Sequence, residues 1–240
     1  SGIYVINDIN DREADACHPR KKFRPIAAGL IPLPLAWVVG VALLVVGSLT
    51  SWWLAHPFGL VVFSYVMIQL IYSLFLKRIA LIDILVIAGG FVLRAVAGAV
   101  VLDVTISPWL LLCTFLLALF LALCKRRYEK TLSTDTQAEH RVSLEQYDEK
   151  LLDQLIAIIS AATIVSYSIY TLSPATIEKF GTAKLGFTIP FVMFGIFRYL
   201  DLVYRHNKGD RPEKILLTDL PVIATLILYV ISLTVIFLTR

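Results

Sequence analysis

The sequence predicts an all-α protein, a polytopic bundle of membrane-spanning helices. Three observations predict it. Hydrophobic residues make up 58% of the 240-residue chain and charged residues only 17%, against about 45–50% and about 25% in ordinary soluble domains. Mean hydropathy is +0.78. The apolar residues run continuously, without strand-like alternation, in seven stretches close to the roughly 20 residues a helix needs to cross a hydrocarbon core. This excludes a soluble globular domain, a disordered chain and a simple nucleic-acid binder, so no nucleic-acid partner is expected.

Residues 1–31 form an acidic and basic segment before the first apolar run. Spans are expected near 33–55, 58–76, 81–102, 107–124, 151–173, 185–204 and 219–239, all in one membrane domain covering 1–240. His56-Pro57 parts the first pair of spans, Lys77-Arg78 the second and Asp103 through Pro108 the third. Pro190 falls inside the sixth span, where a kink is tolerated if neighbours satisfy the freed carbonyl. Trp52 and Trp53 read as interfacial belt residues. The connection 128–150 carries both signs of charge, as a cap over a site or a solvated helix does. The first residue is Ser1, inside a charged motif, so an N-terminal truncation is expected.

Of the 22 Lys and Arg, 17 fall on connections that share one side of the membrane. By the positive-inside rule that side is cytoplasmic. Only Lys179, Lys184 and Arg240 lie opposite, and Arg94 and Arg198 fall within spans. Most acids lie with the cations, which the positive-inside rule does not require. The net charge of +4 conceals this concentration.

Residues 7–25 read NDINDREADACHPRKKFRP. Asn7, Asp11 and Asp15 are spaced by four and share a helix face, with Asp8 beside it. Hard oxygen ligands in this pattern suit Mg²⁺. The basic residues His18, Arg20, Lys21, Lys22 and Arg24 follow at once. Carboxylates for metal beside cations for phosphate oxygens make a diphosphate site. The bland alternative is a solvated helix end with intrahelical ion pairs.

These residues carry a resemblance. Asn7-Asp8-x-x-Asp11-x-x-x-Asp15, then His18-Pro19-x-Lys21-x-x-Arg24-Pro25-Ile26-Ala27-x-Gly29, resembles the first signature of the UbiA-type superfamily of intramembrane prenyltransferases. The His-Pro and Arg-Pro-Ile-Ala extension resembles its decaprenyl-phosphate phosphoribosyltransferase branch. Further matches follow in order: Tyr72-Ser73-Leu74-x-Leu76-Lys77 before Asp83, Gly90 through Gly98 around Arg94, Ile106-Ser107-Pro108-Trp109, Lys125-Arg126-Arg127-x-Glu129, and Gly209-Asp210-x-Pro212-Glu213 leading to Asp219. The resemblance implies a nine-helix fold with this first motif closing the second helix. The chain is therefore expected to lack the first helix and most of the second, and to be inactive as it stands.

The resemblance further implies a plasma-membrane enzyme joining 5-phosphoribose from phosphoribosyl pyrophosphate to a polyprenyl phosphate, with Mg²⁺ as cofactor. It places Asn7, Asp11 and Asp15 on the metal and Asp11, Asp15 and Asp83 in catalysis. Substrate contacts fall to Asn7, Asp8, Lys21, Lys22, Arg24, Tyr72, Lys77, Arg94, Lys125 and Arg126. Aromatic prenyltransferases of the superfamily carry a second DxxxD motif, whereas here Ile87 stands four residues after Asp83. That departure counts against a prenyl-diphosphate donor and an aromatic acceptor, the alternative reading. A transporter is disfavoured because the acids cluster at one mouth and no internal repeat is visible.

Several residues keep two readings. Asp83 is a metal or ribose contact, or a helix-start cap. Arg94 lies 11 residues further on, about three turns deeper, and binds phosphate or anchors to backbone carbonyls. Lys77 is a phosphate clamp or a snorkelling boundary residue. Tyr72 orients a phosphate or belongs to an interfacial belt, and Lys125-Arg126-Arg127 is a clamp or a positive-inside anchor. Cys17, Cys113 and Cys124 have no metal-ligand spacing and read as free thiols. The four His show no zinc pattern. A homo-oligomer stays open.

Overall fold

The computed structural model describes residues 1–17, 21–135, 146–206, 209 and 212–239. His18 and Arg20 of the basic stretch, residues 136–145 of the charged connection and Asp210 lie outside the described residues. Every regular element among the described residues is helical. The chain divides into two units, Ser1–Thr105 with Ser133–Tyr147, and Ile106–Leu132 with Asp148–Arg240.

The first unit holds α1 (Gly2–Asn10), α2 (Arg12–Cys17), a 3₁₀ turn (Lys21–Phe23), α3 (Leu33–Leu54), α4 (His56–Leu74), a second 3₁₀ turn (Leu76–Arg78) and α5 (Ile82–Leu102). Pro34 and Pro57 sit in first helical turns, where a preset φ helps and the missing N–H costs nothing. A single extended residue, Ala55, links α3 to α4. A Cβ added to Gly2 of α1 would come within 2.7 Å of the Gly40 carbonyl oxygen of α3. The absence of side chains there lets two helices approach where lipid supplies no hydrophobic drive. Leu81 precedes α5 with φ 65 and ψ −43. The Ile82 N–H donates to the Ala80 carbonyl across it at 2.8 Å. This is close to the rare γ-turn geometry, which a β-carbon-bearing residue adopts only under strain.

The second unit holds α6 (Pro108–Asp135, whose last residues fall in the first unit), α7 (Glu149–Leu172), α8 (Pro174–Phe180), a 3₁₀ segment (Lys184–Thr188), α9 (Ile189–His206), α10 (Pro212–Thr218) and α11 (Leu220–Leu238). Phe120 and Leu123 of α6, Leu152 and Ile156 of α7, and Leu202 and Val203 of α9 make its core. The Tyr167 hydroxyl bonds Thr188 at 2.7 Å and Tyr229 at 3.1 Å, joining α7, the 3₁₀ segment and α11 inside the apolar zone.

Seven helices are long and apolar enough to cross a membrane, with at most 33% of each apolar window buried. Side chains such as Trp53, 88% exposed, and Leu238, 80% exposed, need hydrocarbon around them. The chain is a multi-pass membrane protein, and the spans fall within a few residues of expectation. Two details differ. Helix α6 continues to Asp135 instead of stopping near 124, because 125–135 contain no Gly or Pro and Arg126 pairs with Glu129 one turn on. The sixth span, Lys184–His206, begins as 3₁₀ and becomes α-helical at Ile189. Pro190 therefore occupies a first helical turn rather than a mid-helix kink.

Candidate active site

The acidic motif straddles the α1–α2 junction. Asp11 leaves α-helical geometry (φ −94, ψ 5). Its N–H donates to the Asn7 carbonyl at 2.9 Å and its carbonyl accepts the Asp15 N–H at 2.7 Å, so the helical path resumes. The expected stack of Asn7, Asp11 and Asp15 resolves into two groups around two cations. In the first, Asn7 Nδ2 donates to Asp11 Oδ2 at 3.0 Å. Ser73 of α4 donates to Asn7 Oδ1 at 2.9 Å, and Lys77 forms an ion pair with Asp11. In the second, Arg24 Nη1 bridges Asp8 Oδ1 at 2.8 Å and Asp15 Oδ2 at 2.7 Å. Lys21 Nζ stands 3.8 Å from Asp15. Lys22 is exposed and lies 5.3 Å from the Phe23 ring.

Burial raises the Asp8 pKa above the ordinary 3.8; Arg24 opposes this, and the neighbouring charges of Asp15 and Asp11 add to it. Three carboxylates and an amide crowded onto adjacent turns are a hard, all-oxygen donor set, which fits Mg²⁺. Among the described residues no three acids, His or Cys gather into a closed metal cluster. Lys77 holds Asp11, and Arg24 holds Asp8 and Asp15.

Asp83 lies in the first turn of α5 and is fully buried. Its carboxylate accepts the Tyr147 hydroxyl at 2.7 Å. That hydroxyl in turn accepts the N–H of strained Leu81 at 2.7 Å. Beside it, Gln146 accepts from the Ala80 N–H at 3.2 Å and donates to the Arg78 carbonyl at 3.3 Å. The end of the charged connection is thus latched to the turn that carries Lys77. The N-cap residue of α5 is Leu81, whose side chain offers no cap.

On α4, Tyr65, Gln69 and Ser73, with Lys77 beyond its end, recur every four residues and share a face. Arg94 of α5 meets the deep end of this stripe. Its Nε and Nη2 donate to the Tyr65 hydroxyl at 3.1 and 2.5 Å, and Nη2 donates to the Tyr4 hydroxyl at 3.3 Å. Its partners are phenols, not the backbone carbonyls of the anchor reading. Tyr72 is half-buried on a neighbouring flank of α4.

In the second unit the basic triplet splits. Lys125 is exposed, Arg126 is buried against Glu129, and Arg127 Nε donates to Asp153 Oδ1 at 2.6 Å. Tyr204 donates to the same Asp153 oxygen at 2.9 Å, with its ring centroid 4.0 Å from the Arg127 guanidinium, stapling α6, α7 and α9. Gly209 packs so tightly that an added Cβ would lie 2.7 Å from Tyr128 Cβ. A groove of about 570 Å³ lined by Trp109, Val165, Ile169 and Leu172 holds no titratable side chain and lies apart from this chemistry.

Ser73, Tyr4, Tyr65, Gln146 and Tyr147 escaped the sequence reading. The four-residue spacing of Tyr65, Gln69 and Ser73 within an apolar span was a signal available for two of the neighbours. Nothing local marks Tyr147, whose partners lie 64 and 66 positions away.

Comparison with known proteins identifies the family. The UbiA prenyltransferase family model matches residues 1–218. A decaprenyl-phosphate phosphoribosyltransferase of Mycolicibacterium smegmatis is 40% identical over 226 residues, covering 91% of this chain and 70% of that protein. The protein of the same name from Mycobacterium tuberculosis is 35% identical, covering 91% and 71%. A protoheme IX farnesyltransferase of Archaeoglobus fulgidus is 34% identical over only 38% of this chain and 32% of its own. A solved UbiA homolog from Archaeoglobus fulgidus, bound to GPP and Mg²⁺, superposes with a TM-score of 0.73 at 18% identity, over 98% of this chain and 82% of its own, and so shares the fold. The chain belongs to the UbiA prenyltransferase family.

Proposed function

We propose that this protein transfers 5-phosphoribose from phosphoribosyl pyrophosphate to a polyprenyl phosphate such as decaprenyl phosphate, releasing pyrophosphate in a Mg²⁺-dependent reaction. It acts in the plasma membrane with its acidic motif toward the cytoplasm, the source of a soluble donor. The observation that carries this reading is the Asn7–Asp11–Lys77 contact set beside the Asp8–Arg24–Asp15 bridge. It places oxygen donors for a metal next to cations for phosphate oxygens, as transfer from a diphosphate requires.

Asn7, Asp11 and Asp15 would hold the ion, with Asp8 adjacent. Bound there, Mg²⁺ supplies neutralisation of the pyrophosphate as it departs. Lys77, released from Asp11, turns to the same oxygens, and Arg24, Lys21 and Lys22 lower the repulsion between two anionic substrates. A lipid phosphate oxygen attacks C1 of the ribose as the C1–O bond to pyrophosphate breaks. The pyrophosphate leaves with the bonding pair. The nucleophile is already anionic, so no general base is needed. Asp83 serves through Tyr147, holding the turn that presents Lys77.

The test supplies the purified full-length membrane protein with labelled phosphoribosyl pyrophosphate, polyprenyl phosphate and Mg²⁺. The expected result is label in the lipid fraction, lost on chelation. No transfer under these conditions overturns the reading. Attachment of a prenyl chain to an aromatic acceptor by the same preparation would replace it with the prenyltransferase alternative.

A further inference from the structure

Two arginines lie within the spans, Arg94 in α5 and Arg198 in α9. A guanidinium does not deprotonate in a protein, so both carry full charge. Arg198 is answered by carboxylates: Nε and Nη2 donate to Asp219 at 3.1 and 2.9 Å, and Nη1 donates to Asp201 at 2.7 Å. Among the described residues no carboxylate lies within ion-pair distance of Arg94. Its hydrogen-bond partners are two neutral phenols, and its guanidinium stands 5.2 Å from the ring centroids of Tyr65 and Phe91. The side chain is otherwise exposed.

An unneutralised cation at membrane depth is expensive and calls for an anion. The phenols sharpen this. Tyr4 accepts one N–H from Arg94 and Tyr65 accepts two, and a phenol that accepts still has its own O–H to give. No described residue accepts either O–H. The trio therefore presents guanidinium N–H groups and two phenolic O–H donors, a donor-only array suited to a tetrahedral oxyanion. The array belongs to the same polar face as the acidic motif. Tyr4 precedes Asn7 by three residues on α1, and Tyr65 lies 12 residues before Lys77, about three turns deeper along α4.

We infer that Tyr4, Tyr65 and Arg94 form a seat for a phosphate monoester on the membrane side of the acidic motif. This rests on the phosphoribosyl-transfer reading, in which two substrate groups share that chemistry: the phosphate of the acceptor lipid and the 5-phosphate of the donor. In-line attack at C1 needs the acceptor phosphate held away from the departing pyrophosphate, and an oxyanion seat separate from Asn7 and Asp11 suits that need.

Binding of farnesyl phosphate and of ribose 5-phosphate to the nanodisc-embedded protein, each followed by ³¹P NMR without Mg²⁺ or donor, tests the seat independently of turnover. One probe is expected to bind. Arg94→Gln should weaken it about tenfold to a hundredfold, and Tyr65→Phe or Tyr4→Phe about fivefold, as loss of charged and neutral hydrogen bonds does. Arg94→Lys should recover part of the loss. Loss confined to farnesyl phosphate assigns the seat to the lipid; loss confined to ribose 5-phosphate assigns it to the donor. Should the wild-type protein bind neither probe, or should Arg94→Gln and Tyr65→Phe both bind like wild type, the seat is wrong. Should Arg94→Gln fail to fold, the two Tyr→Phe variants decide alone. Arg94-dependent binding in a protein that labels no lipid would refute the reaction and leave the seat standing.

Discussion

Arg94 and Arg198 are the same residue type in comparable spans, and the protein treats them in opposite ways. Arg198 is met by two carboxylates, one of them bidentate. One of those, Asp219, also caps α11 by accepting the Val222 N–H at 3.2 Å. That charge is fully employed in tying α9 to α11. Among the described residues, the hydrogen-bond partners of Arg94 are phenols. The contrast extends to the units around them. In the second unit Arg126, Arg127 and Arg198 each have a carboxylate on a helix of the bundle. In the first unit the cations Lys77 and Arg24 hold the carboxylates proposed as metal ligands. The difference separates polar groups that complete a fold from polar groups positioned to change partners.

The largest expected effect tests the first unit. Asp11→Asn should lower phosphoribosyl transfer by about a thousandfold or more, the scale of losing an electrostatic group at a reacting centre, while membrane insertion is preserved. Normal turnover in this variant would remove Asp11 from the metal site. Next comes the arginine pair itself. Arg198→Gln removes the guanidinium that ties Asp201 to Asp219 and should lower the thermal midpoint more than Arg94→Gln, which should chiefly raise a substrate KM. Equal thermal losses with unchanged KM values would collapse the distinction between the two residues.

Tyr147→Phe takes the Tyr147 hydroxyl bond from the buried Asp83 carboxylate. A buried group so deprived costs about 1–3 kcal/mol, and the slack should reach Lys77 through the Leu81 turn. The expected result is a higher KM for the donor with the Mg²⁺ requirement unchanged. A normal KM would reduce the latch to a stability element. Gly209→Ala tests whether the second unit's packing is as final as its ion pairs. A Cβ 2.7 Å from Tyr128 should cost about 1–3 kcal/mol as overpacking, read as a lower thermal midpoint.

The smallest effect is a pH dependence. Burial and the adjoining acids raise Asp8 above 3.8, so the folded state binds its proton more tightly than the unfolded state. The contribution of this group to stability is full below 3.8 and is lost as pH rises through its raised value. Asp8→Asn should flatten stability against pH in that window, and an unchanged profile would contradict the burial.

Much of the architecture was legible in the linear chain. The seven apolar runs set the spans because a hydrocarbon core demands length and continuity, properties that need no tertiary partner. The acidic motif was legible because an i, i+4 spacing brings Asn7 and Asp11 together on one helix. Asp15 shows the limit of that argument. It shares the spacing, but the helix breaks at Asp11 and Arg24 captures Asp15 from a later turn. The role of Asp83 was not legible, since its partner is a tyrosine beyond the rest of its own span and one further span. Arg94 and Arg198 looked alike in sequence because charge and depth were all that could be read.

By itself, then, the sequence determined the membrane class, the spans, the family signature and the residue types available at the charged mouth. These follow from local spacing and from transfer to lipid, which act on each segment separately. Only the tertiary structure decided which cation each carboxylate holds, that Tyr147 latches the Lys77 turn, and that, among the described residues, carboxylates meet Arg198 but not Arg94. Pairings of this kind are made between helices far apart in the chain, and their geometry exists only once the helices have packed.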